Sequence, residues 1–383
     1  MSHKITNSIF QIGISDKELT LFEGQYTLKQ GMSYNSYVIQ DEKTVVLDTM
    51  DERVTDKWLQ ELEGLLAGKA PDYLVVSHME PDHAYNIGML AEKYPEMKIV
   101  GNTLTFNMLT NFFEMDFSQR KFVVMDGDVL DIGKHKLQFV TAPMVHWPEV
   151  MMTYEQTEKI LFSADAFGRF GSLEAEGKWE EEARRYYFGI VGKYGMQVQA
   201  VLKKATNLEI ETICPLHGPV LKENLGYYLQ KYNTWSSYEP EEEGVCLVCS
   251  SIYGNTLQAV ETLANLLKQQ GNKVEVIDLT KEDWAEAVAN AFRFSRLVVA
   301  SCSYNAGVFP PMVHFLQALK ERNYQKRKVA IIENGSWAPS AGKGMKSMLQ
   351  EMKDIELIEP VFTIKSRLKE EDKKAFEDWA KRI

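Results

Sequence analysis

His78, Glu80, Asp82 and His83 place two imidazoles and two carboxylates within six residues, directly after the strand-like run Asp72-Tyr-Leu-Val-Val-Ser77. Further groups of the same kind follow three more runs of strand character. His146 comes after Leu137-Gln-Phe-Val-Thr-Ala142, Asp165 after Lys159-Ile-Leu-Phe-Ser-Ala164, and His217 after Ile210-Glu-Thr-Ile-Cys-Pro-Leu216. Four of the seven histidines are used in this way. Imidazole nitrogens and carboxylate oxygens brought to one edge of a sheet are the donors from which metal centres are built. Seven donors are too many for one tetrahedral ion. They suit two ions that share a bridging carboxylate, each keeping an open position. A lone histidine after a strand is ordinarily a hydrogen-bonded structural residue, and it is the dense cluster at 78–83 that turns the reading toward metal.

A second chemistry is written near residue 250. Ser250, Ser251, Ile252, Tyr253, Gly254, Asn255 and Thr256 lie between an apolar strand and a helix. Backbone N–H groups and the positive end of a helix favour an anion there, and hydroxyls add donors. The segment resembles a relaxed flavodoxin phosphate loop, although the same residue types also cap helices. Two later loops strengthen the reading: Ser303, Tyr304, Asn305, Ala306 and Gly307, then Asn334, Gly335, Ser336 and Trp337. Both follow central strands, where an open α/β sheet binds ligands. Tyr304 and Trp337 could cover a flat isoalloxazine ring, so the expected cofactor is FMN. No G-x-G-x-x-G is present, which argues against a pyridine nucleotide held in that mode.

These groups need scaffolds to hold them. Strand patterns at Ile9–Ile14, Tyr34–Gln40 and Thr44–Thr49 precede a helical stretch around 53–67, after which strands near 121–125, 136–142, 150–155 and 159–164 mix with helices. That order predicts mixed sheets flanked by helices. Beyond the polar, acidic stretch Ser236-Ser-Tyr-Glu-Pro-Glu-Glu-Glu-Gly244, strands near 245–250, 273–278, 296–301, 328–333 and 355–363 alternate with helices near 256–270, 281–291, 311–320, 342–352 and from 369. This is the rhythm of a doubly wound sheet. The expected domains are 1–240 for the metal centre and 244–383 for the flavin, with the acidic stretch as linker.

The 383 residues carry a formal charge of −11, which disfavours nucleic acid as a partner. Cys214, Cys246, Cys249 and Cys302 are too few and scattered for a disulfide framework, and Cys246-x-x-Cys249 lies in an apolar strand as two core residues. No apolar run is long enough to span a bilayer and the amino terminus lacks a secretory core, so a cytoplasmic, membrane-free protein is expected.

The H-x-E-x-D-H cluster with a later His, Asp and His resembles the metallo-β-lactamase superfamily. Glu80, in place of that superfamily's usual second histidine, hardens the site toward iron. Together with Ala142-Pro-Met-Val-His146-Trp-Pro148 and the flavodoxin-like half, the whole chain resembles a flavodiiron protein (A-type flavoprotein). The resemblance implies an α/β fold: an αββα metallo-β-lactamase-like sandwich followed by a five-stranded parallel flavodoxin-like sheet. It implies two non-haem irons, one held by His78, Glu80 and His146, the other by Asp82, His83 and His217, with Asp165 bridging; the family sometimes leaves the imidazole at the His83 position unbound. It also implies an oxidoreductase that reduces O2 to water, NO to N2O, or both, fed through FMN.

Two departures from the family pattern bear on substrate preference. Phe22-Glu23-Gly24 stands where many members have Phe-His-Gly, and Ala84-Tyr85 where many have Ala-Gly. Tyr187 matches a family tyrosine near the metal pocket, or packs in the core. By the same resemblance the expected assembly is a head-to-tail homodimer, or a dimer of such dimers, with the FMN of one chain beside the irons of the other. No C-x-x-C pair follows the flavodoxin-like half, so the expected electron donor is a separate rubredoxin or a reduced deazaflavin. The main rival is a binuclear zinc hydrolase fused to a flavodoxin domain; a vestigial electron-transfer module and an RNA-processing nuclease stand further off.

Overall fold

The computed structural model describes residues 2–383. They form two compact units. One takes the chain to Tyr187 and resumes at Met196–Asn233; the other comprises Phe188–Gly195 and Thr234–Ile383.

The first unit is built on two sheets. One runs in the order Ser2–Lys4, Ile9–Asp16, Met32–Ile39, Val45–Leu47, Tyr73–Val75, Lys98–Gly101, Lys121–Val123. It is antiparallel up to Val45–Leu47 and parallel from there on. The second orders Val129–Asp131, Lys136–Thr141, Met151–Glu155, Ile160–Phe162 and Thr212–Cys214. Apolar side chains of both sheets meet in one core, with Ile39, Val45, Leu47, Val75 and Val100 from the first against Leu137, Phe139, Met151, Ile160 and Phe162 from the second. Sheet-on-sheet burial of this kind is the main stabilising term of a sandwich. Helices cover the outer faces. Thr55–Leu66, for example, buries Trp58, Leu62 and Leu66, a stripe spaced by four residues.

Strand direction decides where the chemistry falls. Lys136–Thr141 is antiparallel to Met151–Glu155, which is antiparallel to Ile160–Phe162, which is parallel to Thr212–Cys214. The carboxyl ends of the first, third and fourth of these strands therefore share one edge, and they lead to His146, Asp165 and His217.

The second unit has five parallel strands in the order Val274–Asp278, Glu242–Ser250, Phe294–Tyr304, Arg327–Asn334, Ile355–Ile364. Numbered along the chain that order is 2-1-3-4-5, the flavodoxin-like arrangement. The inner strand Glu242–Ser250 is covered on both faces, so Cys246 and Cys249 are both buried although they point to opposite sides. Helix Asn255–Gln269 packs Ala259, Val260, Leu263, Ala264 and Leu267 on the sheet. Pro360 sits in the edge strand, where a missing ladder donor is tolerated. The acidic stretch at 236–244 is not a free linker. Ser236 and Tyr238 are buried, the Tyr238 hydroxyl donates to the Gly192 carbonyl (2.9 Å), and strand structure begins at Glu242.

Candidate metal centre

His78 stands three residues beyond Tyr73–Val75, in a loop pinned by the buried Asp48, whose carboxylate accepts the Ser77 N–H (2.6 Å). The chain then turns through the short helix Pro81–Ala84, with Pro81 at its start, where a missing N–H costs nothing. That turn carries Asp82 and His83 into the interior, while Glu80 remains partly open to solvent.

The donors fall into two groups. In the first, His78 Nε2 and His146 Nε2 are 3.2 Å apart. Glu80 Oε2 lies 3.3 and 3.0 Å from these nitrogens, and Asp165 Oδ2 lies 3.3 and 3.1 Å from them. In the second group, His83 Nε2 and His217 Nε2 are 3.1 Å apart, with Asp82 Oδ2 at 3.3 and 3.2 Å. The other oxygen of Asp165, Oδ1, completes this group at 3.2 and 3.7 Å. An ion about 2.0–2.1 Å from four tetrahedral donors would hold those donors roughly 3.3 Å apart. Both groups have nearly that spacing, and Asp165 contributes one oxygen to each.

Other observations agree with a cation at each point. Both oxygens of Asp82 and both of Asp165 are buried and have no hydrogen-bond partner, a costly state for carboxylates unless positive charge is supplied. Burial alone would make the imidazoles shed protons. Instead Asp165, Glu149 and Glu80 hold His78 well above its ordinary value, and nearby carboxylates lift His83 and His146 to about 9. Burial also raises Glu80 and Asp165, but the imidazolium neighbours outweigh it and push both down. Metal binding would have to displace protons from these imidazoles.

Outer partners orient two of the rings. His78 Nδ1 is 2.8 Å from Glu149 Oε1, which also accepts the Met79 N–H (2.8 Å), and His217 Nδ1 is 2.7 Å from the Ser33 carbonyl oxygen. When those nitrogens carry the hydrogen, each Nε2 lone pair faces the centre. His83 has no such anchor; its Nδ1 is buried without a hydrogen-bond partner. Glu149 directly follows the Ala142–Pro148 segment but was not singled out with it, and Ser33 acts through its backbone, which any residue type could supply.

The surroundings adjust three expectations. Tyr187 is buried, but its ring packs on Tyr232 (5.2 Å); it is the neighbouring Tyr186 whose ring meets His217, at 5.6 Å. Tyr85 is half exposed and donates its hydroxyl to Glu52 (2.6 Å). Glu23 occupies the tip between Leu21–Phe22 and Tyr26–Thr27, and the adjacent Phe22 ring stands edge-on to His217 at 5.6 Å. Partial burial, then the negative charge of Glu80, lift Glu23 to about 7. Of the three histidines outside the motifs, His135 is buried on Asp41 (2.6 Å), His314 packs beside Trp284, and His3 is exposed.

In the second unit, a cavity of about 670 Å³ opens at the carboxyl edge of the sheet, within the size range of cofactor sites. Ser251, Ile252, Tyr253, Asn255 and Thr256 line it, with Ser303, Tyr304, Asn305 and Ala306, and with Asn334, Gly335, Ser336 and Trp337. Ser250, Gly254 and Gly307 do not. The Ser250 hydroxyl pairs with that of Ser301 (3.0 Å), Gly254 caps the helix with φ 88°, and Gly307 closes a short hairpin on Tyr304. Cys302 and Ala338, within the same segments, also line it, and so do Pro339, Ser340 and Ser366, which the sequence reading did not single out. Ser303 Oγ accepts the Ser340 N–H (2.8 Å), and Asn334 donates to Thr256 Oγ1 (3.2 Å) and to the Ser366 carbonyl (2.9 Å).

Comparison with known proteins follows the same division. Residues 32–218 match the family described as ODP family beta lactamase. An uncharacterised protein of Methanocaldococcus jannaschii is 30% identical over 99% of this chain and 97% of its own length. The anaerobic nitric oxide reductase flavorubredoxin of Vibrio vulnificus is 30% identical over 88% of this chain and 70% of its own length. Among solved structures, the rubredoxin oxygen:oxidoreductase of Desulfovibrio gigas superposes with a TM-score of 0.92 at 24% identity, covering 100% of this chain and 98% of that one. The flavodiiron protein of Giardia intestinalis gives 0.87 at 23% identity, over 100% and 96%. With its sandwich, its flavodoxin-like sheet and relatives matched along nearly the whole length, the chain belongs to the flavodiiron protein family.

Proposed function

We propose that this protein reduces O2 to water, NO to N2O, or both, at a pair of non-haem irons supplied with electrons through FMN. As a flavodiiron protein the chain is an oxidoreductase. The observation that carries the reading is the division of Asp165, whose two oxygens each complete a different histidine pair. His78, Glu80 and His146 would hold one iron and Asp82, His83 and His217 the other. Three carboxylates among seven donors suit iron better than zinc, which favours this reading over the zinc hydrolase. When bound, two ferrous ions and dihydro-FMN supply together the four electrons that take O2 to two waters, or the two needed per N2O formed from NO.

The chain's own part is to hold and orient. Glu149 and the Ser33 carbonyl fix two imidazoles so that Nε2 faces the metal. The buried floor keeps bulk water from the carboxylates, so charge interactions there are stronger than at the surface. In the second unit, Ser251, Asn255 and Thr256 at the helix start suit the FMN phosphate, and Tyr304 and Trp337 suit the ring faces. A head-to-tail homodimer would bring flavin to iron, an external rubredoxin or reduced deazaflavin would be the donor, and the cytoplasm the setting.

The deciding experiment is anaerobic purification with metal and flavin analysis, then rapid mixing of the reduced, iron-loaded protein with O2 and, separately, NO. Two irons and one FMN per chain with rapid turnover of either gas support the proposal. A native zinc pair, or a reduced protein inert to both gases, overturns it.

A further inference from the structure

Between the outer face of the second sheet and the helices Gly195–Ala205 and Leu225–Ser236 lies a cavity of about 20 Å³. That is room for one small molecule. Its inner end is formed by the buried side chains of Val145, Ala166 and Phe167. Val145 immediately precedes His146, and Ala166 immediately follows Asp165, so the lining includes the chain neighbours of two of the metal-ligand candidates. Its outer end is formed by Leu202, Ala205 and Leu229, all only half-buried. No charged residue lines it. The one hydroxyl in the lining, that of Tyr232, already accepts the Phe167 N–H. Water needs two to four polar partners to occupy such a space, and apolar cavities stay dry while admitting apolar guests such as xenon.

We infer that this cavity is a holding site and passage for an apolar diatomic gas, running from the surface at Leu202, Ala205 and Leu229 to the backbone that carries His146 and Asp165. The inference rests on the proposed gas-reducing function and adds a route separate from the solvent-exposed side at Glu80. O2 and NO lose little by leaving water for such a space, whereas water and protons are held back from it. The passage lies within a single unit of one chain and needs no partner.

The test is xenon binding, by pressurised crystals and by 129Xe NMR of the protein in solution, with and without iron. Xenon should occupy the space between Val145, Ala166 and Leu202. Ala205→Phe should remove it, and should slow the reaction of the reduced, iron-loaded protein with gas by about tenfold, with iron content and flavin reduction rate unchanged. Should Ala205→Phe fold poorly, Leu229→Ala serves in the opposite sense, raising xenon occupancy without slowing the gas reaction. Absence of xenon, or xenon binding with a wild-type gas rate in Ala205→Phe, overturns the passage while leaving the reductase reading intact. A wild-type protein inert to both gases sinks the reductase reading itself, and the passage with it.

Discussion

The metal cluster and the flavin crevice both sit at the carboxyl ends of strands, yet they are made of different material. The cluster consists of side-chain donors: four imidazoles and three carboxylates, six of the seven buried, brought from strand ends of two sheets. The crevice is wide and open, made largely of small residues and loop backbone, with Trp337 and Tyr253 each 92% exposed at its rim. A site made of side chains tolerates almost no substitution and is legible residue by residue. A site made of loop shape tolerates many sequences and is legible only as a pattern. The contrast also predicts how each should fail: abruptly in the first, by degrees in the second.

Four experiments press on that contrast. The largest effect is expected from Asp165→Ala, which takes an oxygen from both donor groups at once. Iron affinity should fall by more than the roughly 10–100-fold that follows loss of an outer partner alone, and metal analysis should find neither position filled. Retention of one tightly bound iron would show that the groups are independent. Glu149→Gln is expected to cost about tenfold in affinity, confined to the position built on His78, because it weakens only that ring's anchor; competition with a chelator measures it.

In the crevice, Trp337→Ala should weaken FMN binding by about tenfold at most, the scale of one aromatic contact, and shift unfolding stability by no more than about 0.5 kcal/mol, as an exposed residue should. Fluorescence titration with FMN and a denaturant melt separate the two effects. An FMN loss as abrupt as the metal loss of Asp165→Ala would erase the distinction between the regions. The smallest effect concerns Glu23. With its carboxyl raised from 4.5 to about 7 in the metal-free native protein, the folded state binds that proton more tightly than the unfolded state does. Below about 4.5 both states are protonated and nothing is lost. As pH rises from there through 7 the wild type loses stability, and above 7 the full penalty remains. Metal-free Glu23→Gln should therefore gain in melting temperature relative to wild type between pH 5 and pH 8; an equal gap at both values would place Glu23 away from Glu80.

Much of this was readable beforehand because strand periodicity and turn chemistry leave local marks. The runs ending near His78, Asp165 and His217 are apolar and β-branched, and they are strands. The gathering of the donor residues follows from the topology those strands adopt. What escaped notice acts through backbone or long-range packing. The Ser33 carbonyl could belong to any residue type, Glu149 lies 71 positions from the ring it steadies, and Pro339 and Ser366 reach the crevice because loops fold over it. Of the two readings open for Tyr187, its packing on Tyr232 agrees with the core one, and the rings beside His217 are those of Tyr186 and Tyr34.

One carboxylate shared between two cation positions also governs how the protein fills with metal. An ion held by one oxygen of Asp165 would keep the other oxygen in the place the second group needs. Occupancy should accordingly be cooperative: a culture starved of iron would contain a mixture of empty and fully charged molecules, with few singly loaded ones, and its lost activity would reflect the number of complete centres and not their quality.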